Sequence, residues 1–250
     1  MKRSVLAALA LSGALLAPVA APALDLSNMT DSEKAAFGAA VRDYLMQHPE
    51  VLVDAINSLE ARQQAQAAQT DAALIAQNAD AIFRSPDDWV GGNPDGDVTM
   101  VEFMDYRCGY CKKAYPDVAQ LLKSDGKIRY VVKEFPILGP QSELGARFAV
   151  AVRQLAGDAA YAKVHEALMT QRGDITPDSL KALAKAQGLD ADAITKRMGG
   201  PEVTAVLQAN MDLAQTLNVS GTPGFVIGNG MLRGYAPMAQ MQQIVSAARG

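Results

Sequence analysis

The chain contains two cysteines, Cys108 and Cys111, separated by Gly109 and Tyr110. That spacing is one helical turn and brings two sulfurs within reach of one another. A thiolate is the nucleophile in thiol–disulfide exchange, and a second thiol one turn away can resolve the mixed disulfide that results. Three other readings of the pair stand beside this one. A structural disulfide closing so short a loop would contribute only about 1.9 kcal/mol by chain entropy. A structural zinc ion needs about four ligands, and the chain has no other cysteine and only two histidines, His48 and His165. Two thiolates can also hold soft Cu(I).

A reactive thiol needs an element that lowers its pKa. Val98 to Met104 alternates and is rich in β-formers, which predicts a buried strand. Cys108 to Lys123 reads as the helix that follows. Cys108 therefore stands at a strand-to-helix junction, where free N–H groups and the positive dipole end favour the thiolate. Lys112 and Lys113 add positive charge. Lys127 to Phe135 predicts a second strand, and strand–helix–strand implies a parallel βαβ unit. Residues 140–218 read as helices, with Thr176-Pro177 as a start and Gly188 and Gly199-Gly200 as stops. Residues 225–235 read as a hairpin turning on Asn229-Gly230, a type I′ signal. A last helix spans Pro237 to Ala248.

The other half of the pattern precedes residue 98. Met1-Lys2-Arg3, the apolar run Val5 to Ala17 and the small residues Ala21-Pro22-Ala23 form the three parts of a secretory signal peptide, so residues 1–23 are expected to be removed. The run is shorter than the ~20 residues a transmembrane helix needs. Export would place the cysteines where disulfides persist. Residues 24–86 are expected to form a helical extension. Thr30 and Glu33 make a capping box, and His48-Pro49 interrupts the first helix. Val51, Leu52, Ala55, Ile56 and Leu59 start the next apolar face. Ala61, Ala65, Ala68, Ala72, Ile75, Ala79 and Ile82 recur as a heptad seam, which suits either an oligomerisation stalk or a helix lying on the main domain. Gly91 to Gly96 reads as a turn-rich linker with Trp89 packing beside it. The 250 residues are 49% hydrophobic with a net charge of −4, an ordinary globular composition without the basic footprint of a nucleic-acid binder.

Glu102 to Cys111 resembles the active-site stretch of the DsbA family of thioredoxin-fold proteins. Val219 to Phe225, with Thr222-Pro223, resembles that family's second signature. The resemblance covers about Val98 to Gly250; Tyr44-Leu45, His48-Pro49-Glu50 and Leu59-Glu60 resemble the amino-terminal segments of the ScsC and Com1 branches. It implies an α/β thioredoxin fold over 87–250 with a helical insertion at about 140–218. By the same resemblance Cys108 is the attacking thiol, Cys111 the resolving thiol and Pro223 a cis-proline facing them. Thr222 would pair with substrate as an added strand, and Gly109 and Tyr110 would line the same groove. Glu102 matches a buried acid that moves protons for Cys111, and Lys133 a basic partner on the next strand.

The resemblance implies a periplasmic thiol–disulfide oxidoreductase without cofactor or bound metal. It would act on secreted client proteins with cysteines and be reset by a membrane redox partner. Gly-Tyr between the cysteines leaves Cys108 without a second adjacent positive charge. This resembles the periplasmic isomerases, and an oligomer built through the amino-terminal helices would suit one. A monomeric oxidase and a copper-handling module are the alternatives.

Overall fold

β-Branched and aromatic residues alternate through 98–104 and 128–134, and both runs are strands buried on both faces of a sheet. The computed structural model describes residues 28–250; the expected signal peptide lies outside them. The described chain falls into two compact units, one ending at Glu60 and the other running from Ala61 to Gly250.

The first unit holds α1 (Asp31–Gln47) and the start of α2 (Glu50–Gln77). Thr30 and Glu33 close the expected capping box, the Thr30 N–H donating to Glu33 Oε2 at 2.8 Å. Helix α1 buries no residue, and Phe37, Val41, Tyr44, Ile56 and Leu59 are all exposed. Together they give α1 and the first part of α2 a row of exposed apolar side chains.

In the second unit α2 ends, α3 (Ala79–Phe83) follows, and five strands form one sheet. They are β1 (Trp89–Gly92), β2 (Val98–Met104), β3 (Ile128–Glu134), β4 (Gly224–Ile227) and β5 (Gly230–Arg233). Their order is β1-β3-β2-β4-β5. Only β2 and β3 pair in parallel; the other three pairings are antiparallel. Between β2 and β3 runs α4 (Gly109–Asp125). The expected helical block resolves into α5 (Pro140–Ala156), α6 (Asp158–Thr170), α7 (Pro177–Ala186), α8 (Ala191–Met198) and α9 (Pro201–Thr216). Helix α10 (Met238–Arg249) closes the chain.

Two sequence expectations change here. The start of the linker is strand β1, because Trp89 to Gly92 pairs antiparallel with β3. Glycine suits that strand at position 91, where a Cβ would lie 2.2 Å from the Trp89 ring. The hairpin turns on Gly228-Asn229 rather than Asn229-Gly230, since Ile227 pairs with Gly230. Gly228 has φ +57 and takes the first turn position, the type II′ pattern.

The sheet has an apolar layer on each face. One layer contains Met100, Met104, Tyr130, Val132 and Phe225 with Cys111, Ala114 and Val118 of α4. The other contains Val101, Phe103, Val131 and Phe135 with Leu213 and Leu217. Ile75 and Ile82 belong to this second layer. The last residues of the alanine-rich seam thus cover the sheet of their own chain.

Candidate active site around Cys108

Helix α4 begins one residue after Cys108, so Cys108 is its N-cap, with extended φ −72 and ψ 116. The Cys111 N–H donates to Cys108 Sγ at 3.4 Å, and both cysteines are free thiols. From across the site the Thr222 carbonyl oxygen lies 3.2 Å from Cys108 Sγ. The Thr222–Pro223 bond is cis, as the resemblance implies. Strand β4 starts directly after Pro223 and pairs with β2, and β2 leads into the cysteines. The two signatures, more than one hundred residues apart in sequence, meet at one sulfur.

Electrostatics divide the two thiols. The Cys108 thiol is pushed down to about 5, chiefly by a hydrogen bond from the Cys111 thiol, with the Thr222 hydroxyl and the N–H groups of Cys111 and Tyr110 adding to it. Cys111 moves the other way. Its hydrogen bond to Cys108, its burial and the negative charge of Glu102 all hold it protonated. A nucleophile poised as thiolate beside a thiol that must be deprotonated to act is the division of labour that exchange requires.

Glu102 sits on β2 and is buried. Burial pushes its carboxyl up to about 7, against the effect of the Tyr130 hydroxyl, which donates to Glu102 Oε2. Its Oε1 has no hydrogen-bond partner among the described residues. Its charge is felt at both cysteines.

Lys133 is not its partner. Glu102 lies opposite Val132 in the parallel register, and Lys133 lies opposite Phe103. Side chains alternate along a strand, so Glu102 shares its face with Tyr130 and Glu134 while Lys133 points to the other layer. There Lys133 Nζ is 2.6 Å from Asp88 Oδ2 and donates to the Ala81 carbonyl at 2.6 Å. The expected Glu102–Lys133 pair is therefore corrected to Glu102–Tyr130 and Lys133–Asp88.

Gly109 and Tyr110 are exposed beside Cys108, and no atom lies within 4 Å of where a Gly109 Cβ would stand. The Tyr110 ring stacks on Tyr235, with centroids 6.4 Å apart.

Sequence reasoning missed a buried cluster next to the site. Tyr106 and Tyr161 both donate to Glu134 Oε1, at 2.8 and 2.6 Å, and Tyr106 also meets His165 Nδ1 at 3.1 Å. Burial pushes Glu134 up to about 8 and His165 down to about 4. Period-two parity from Glu102 through β3 was the signal that could have found Tyr130 and Glu134.

Comparison with known proteins agrees with this geometry. Residues 99–246 match the DSBA-like thioredoxin domain, and residues 33–66 match the copper resistance protein ScsC N-terminal domain. A thioredoxin-like oxidoreductase from Silicibacter pomeroyi is 40% identical, with 68% of this chain and 96% of that one covered, at TM-score 0.64. Salmonella enterica Typhimurium BcfH is 30% identical, with 88% and 97% covered, at TM-score 0.70. A region of 164 residues is 30% identical to a Na(+)/H(+) antiporter NhaA 1 of Salinispora arenicola; it is 64% of this chain but spans only 24% of that protein's length. Fold, site geometry and these matches agree: the chain belongs to the family of DsbA-like thioredoxin-domain oxidoreductases.

Proposed function

We propose that the protein exchanges disulfides in cysteine-containing client proteins after export, and that it works as an isomerase or reductase more than as an oxidase. The isomerase leaning rests on Gly109-Tyr110 between the cysteines and on the amino-terminal helices; the observation that carries exchange itself is the Cys108 sulfur. It caps α4, favours the thiolate and faces the Thr222 carbonyl at 3.2 Å.

In the first step Cys108 thiolate attacks one sulfur of a client disulfide. A Cys108–client disulfide forms and the client's other sulfur leaves as thiolate. If that thiolate, or another on the client, attacks the mixed disulfide, the client is isomerised with no net redox change. If Cys111 attacks Cys108 instead, the client leaves reduced and the Cys108–Cys111 pair is oxidised; a membrane-held reductant would then reset it. Glu102 is the group that takes the Cys111 proton in this second branch, because its carboxyl titrates near neutral pH and its charge reaches that thiol. Thr222 offers its backbone to an extended client segment, and Gly109 and Tyr110 border the same site. Lys133 serves the fold and not the reaction.

The exposed apolar row on α1 and α2 and the ScsC N-terminal match over 33–66 support an oligomer built through these helices. Several active sites around one client favour repeated exchange over single release. Export to the periplasm rests on the segment 1–23.

The deciding experiment is refolding of a scrambled-disulfide substrate in redox buffer. It compares the full mature chain, Cys108→Ala and a chain lacking residues 28–66. Stopping at 66 leaves Ile75 and Ile82 on the sheet. Recovery that requires both Cys108 and the amino-terminal helices supports the isomerase. Rapid oxidation of a dithiol peptide without recovery identifies a monomer-type oxidase. Inactivity in both assays, with Cu(I) bound tightly through Cys111, identifies a copper-handling module.

A further inference from the structure

The chain is acidic, yet the surface next to its reactive sulfur is basic. Arg107 is exposed directly before Cys108, and Lys112 and Lys113 follow Cys111. Two of these cations fasten one loop. Lys112 Nζ donates to the Gln171 carbonyl at 2.6 Å, and Arg107 Nη1 donates to the Gly173 carbonyl at 2.9 Å. That loop, between α6 and α7, brings a fourth cation to the site, because Arg172 lies between the two accepting residues and is exposed. Lys112 feels Arg107 directly: after burial, the guanidinium charge is the next cause lowering its pKa.

Few carboxylates answer these charges. Asp174 Oδ1 lies 3.7 Å from Arg107 Nη2. Asp117 accepts a hydrogen bond from Tyr235 at 2.8 Å. Among the described residues Lys112 binds only a carbonyl. Lys113 lies 4.4 Å from the centre of the Tyr235 ring, on which Tyr110 stacks. Arg172 has no partner among the described residues. The cis-proline loop from Val219 to Gly224 carries no charge at all. Cations that hold backbone carbonyls and ring faces keep their charge available to a visiting anion.

We infer that this basic collar selects client segments whose exchanging cysteine is flanked by acidic residues, with Lys113 and Arg172 as the specificity-determining residues. The inference rests on the exchange reading of Cys108 and adds a substrate class to it. Exposed charges beside a reactive group act mainly on encounter rate and choice of partner. Their effect weakens as salt shortens the screening length. The bonds made and broken are the same for every client. Flanking charge also shifts the client's leaving thiol, acidic residues raising its pKa and slowing its departure, so the collar is read from how the ratio responds to salt and to charge reversal at Lys113 and Arg172.

The test uses the full mature chain and three disulfide-bearing peptides of one length. Their cysteines are flanked by Asp and Glu, by Asn and Gln, or by Lys and Arg. The second-order rate of mixed-disulfide formation is measured at low and at high salt, for the wild type and for a Lys113→Glu/Arg172→Glu variant. The acidic peptide is expected to react about tenfold faster than the basic one at low salt, within the range seen for electrostatic steering. High salt should shrink the ratio and the double variant should invert it. The neutral peptide reports any change in Cys108 reactivity, and the acidic-to-basic ratio is unaffected by such a change. Equal rates for the three peptides, or a ratio that the double variant leaves unmoved, overturn the inference while exchange itself stands. No mixed disulfide with any peptide overturns the exchange reading and this inference together.

Discussion

Cys108 and Cys111 differ in environment more than in position. Cys108 receives hydrogen bonds that favour its charged form, whereas Cys111 faces burial and the charge of Glu102. Because the Cys111 thiol is the first cause of the Cys108 shift, Cys111→Ala should raise the Cys108 pKa well above about 5. The pH dependence of alkylation of the single remaining thiol checks this; an unmoved profile would return the credit to the helix N-terminus. A depressed thiol pKa also stabilises the reduced fold. That contribution is complete above the unfolded thiol pKa and is lost as pH falls through about 5. Glu102 can accept a proton only as carboxylate, so resolution by Cys111 should accelerate as pH rises through about 7. Glu102→Gln should slow resolution about tenfold or more at pH 8 and flatten that rise, given what general bases usually contribute. Trapped mixed disulfide followed by mass spectrometry measures the step, and a rate equal to the wild type would remove Glu102 from it.

At the scale of elements, sheet register assigns the charged residues of β2 and β3 to separate layers. Lys133 and Asp88 form a pair that is almost wholly shielded from water on the face away from the cysteines. Removing one partner of such a pair strands the other, at about 3–5 kcal/mol. Lys133→Met should therefore lower the urea midpoint markedly. The rate of mixed-disulfide resolution in the folded fraction should stay at the wild-type value. A selective loss of resolution without loss of stability would restore Lys133 to the reaction. The seam of α2 and α3 behaves in the same way. Ile82 is fully buried among Val101, Phe103, Val131 and other residues of the second layer. Ile82→Ala should cost about 2–5 kcal/mol, which chemical denaturation reads directly. A cost below 1 kcal/mol would mean that α3 does not complete this layer.

For the whole molecule, buried ionisable groups set the pH range in which it is stable. Burial raises Glu134 to about 8 and Glu102 to about 7 from 4.5. Each stays protonated in the fold while it ionises in the unfolded chain. Stability therefore falls as pH rises from about 4.5 towards 8. His165, lowered by burial to about 4 from 6.5, acts in reverse, and its contribution is lost as pH drops through that interval. Glu134→Gln should flatten the alkaline decline, which urea midpoints across the pH range will show; an unchanged slope would mean that Glu134 is charged in the fold. On the proposed reading the amino-terminal helices build an oligomer. Light scattering should give a multiple of the chain mass for the full mature protein, and a single chain after Ile56→Asp and Leu59→Asp.

What the sequence determined by itself was local or periodic. The CxxC spacing, the alternation of β2 and the capping residues of α1 and α7 follow from neighbours within a few positions, where chain geometry leaves few choices. The resemblance joined Cys108 to Pro223 before any contact was known. Tertiary structure alone decided what depends on register and on distant segments. Glu102 and Lys133 look like partners because both are charges on adjacent strands, but one residue of parity puts them on opposite faces of the sheet. Trp89 to Gly92 became an edge strand because β3 offered it hydrogen bonds, against the turn propensity of its glycines. The Glu134 cluster draws on β3, α6 and the turn before α4, so no local pattern announces it. The basic collar is likewise assembled from two segments some sixty residues apart, held together by two hydrogen bonds to a loop.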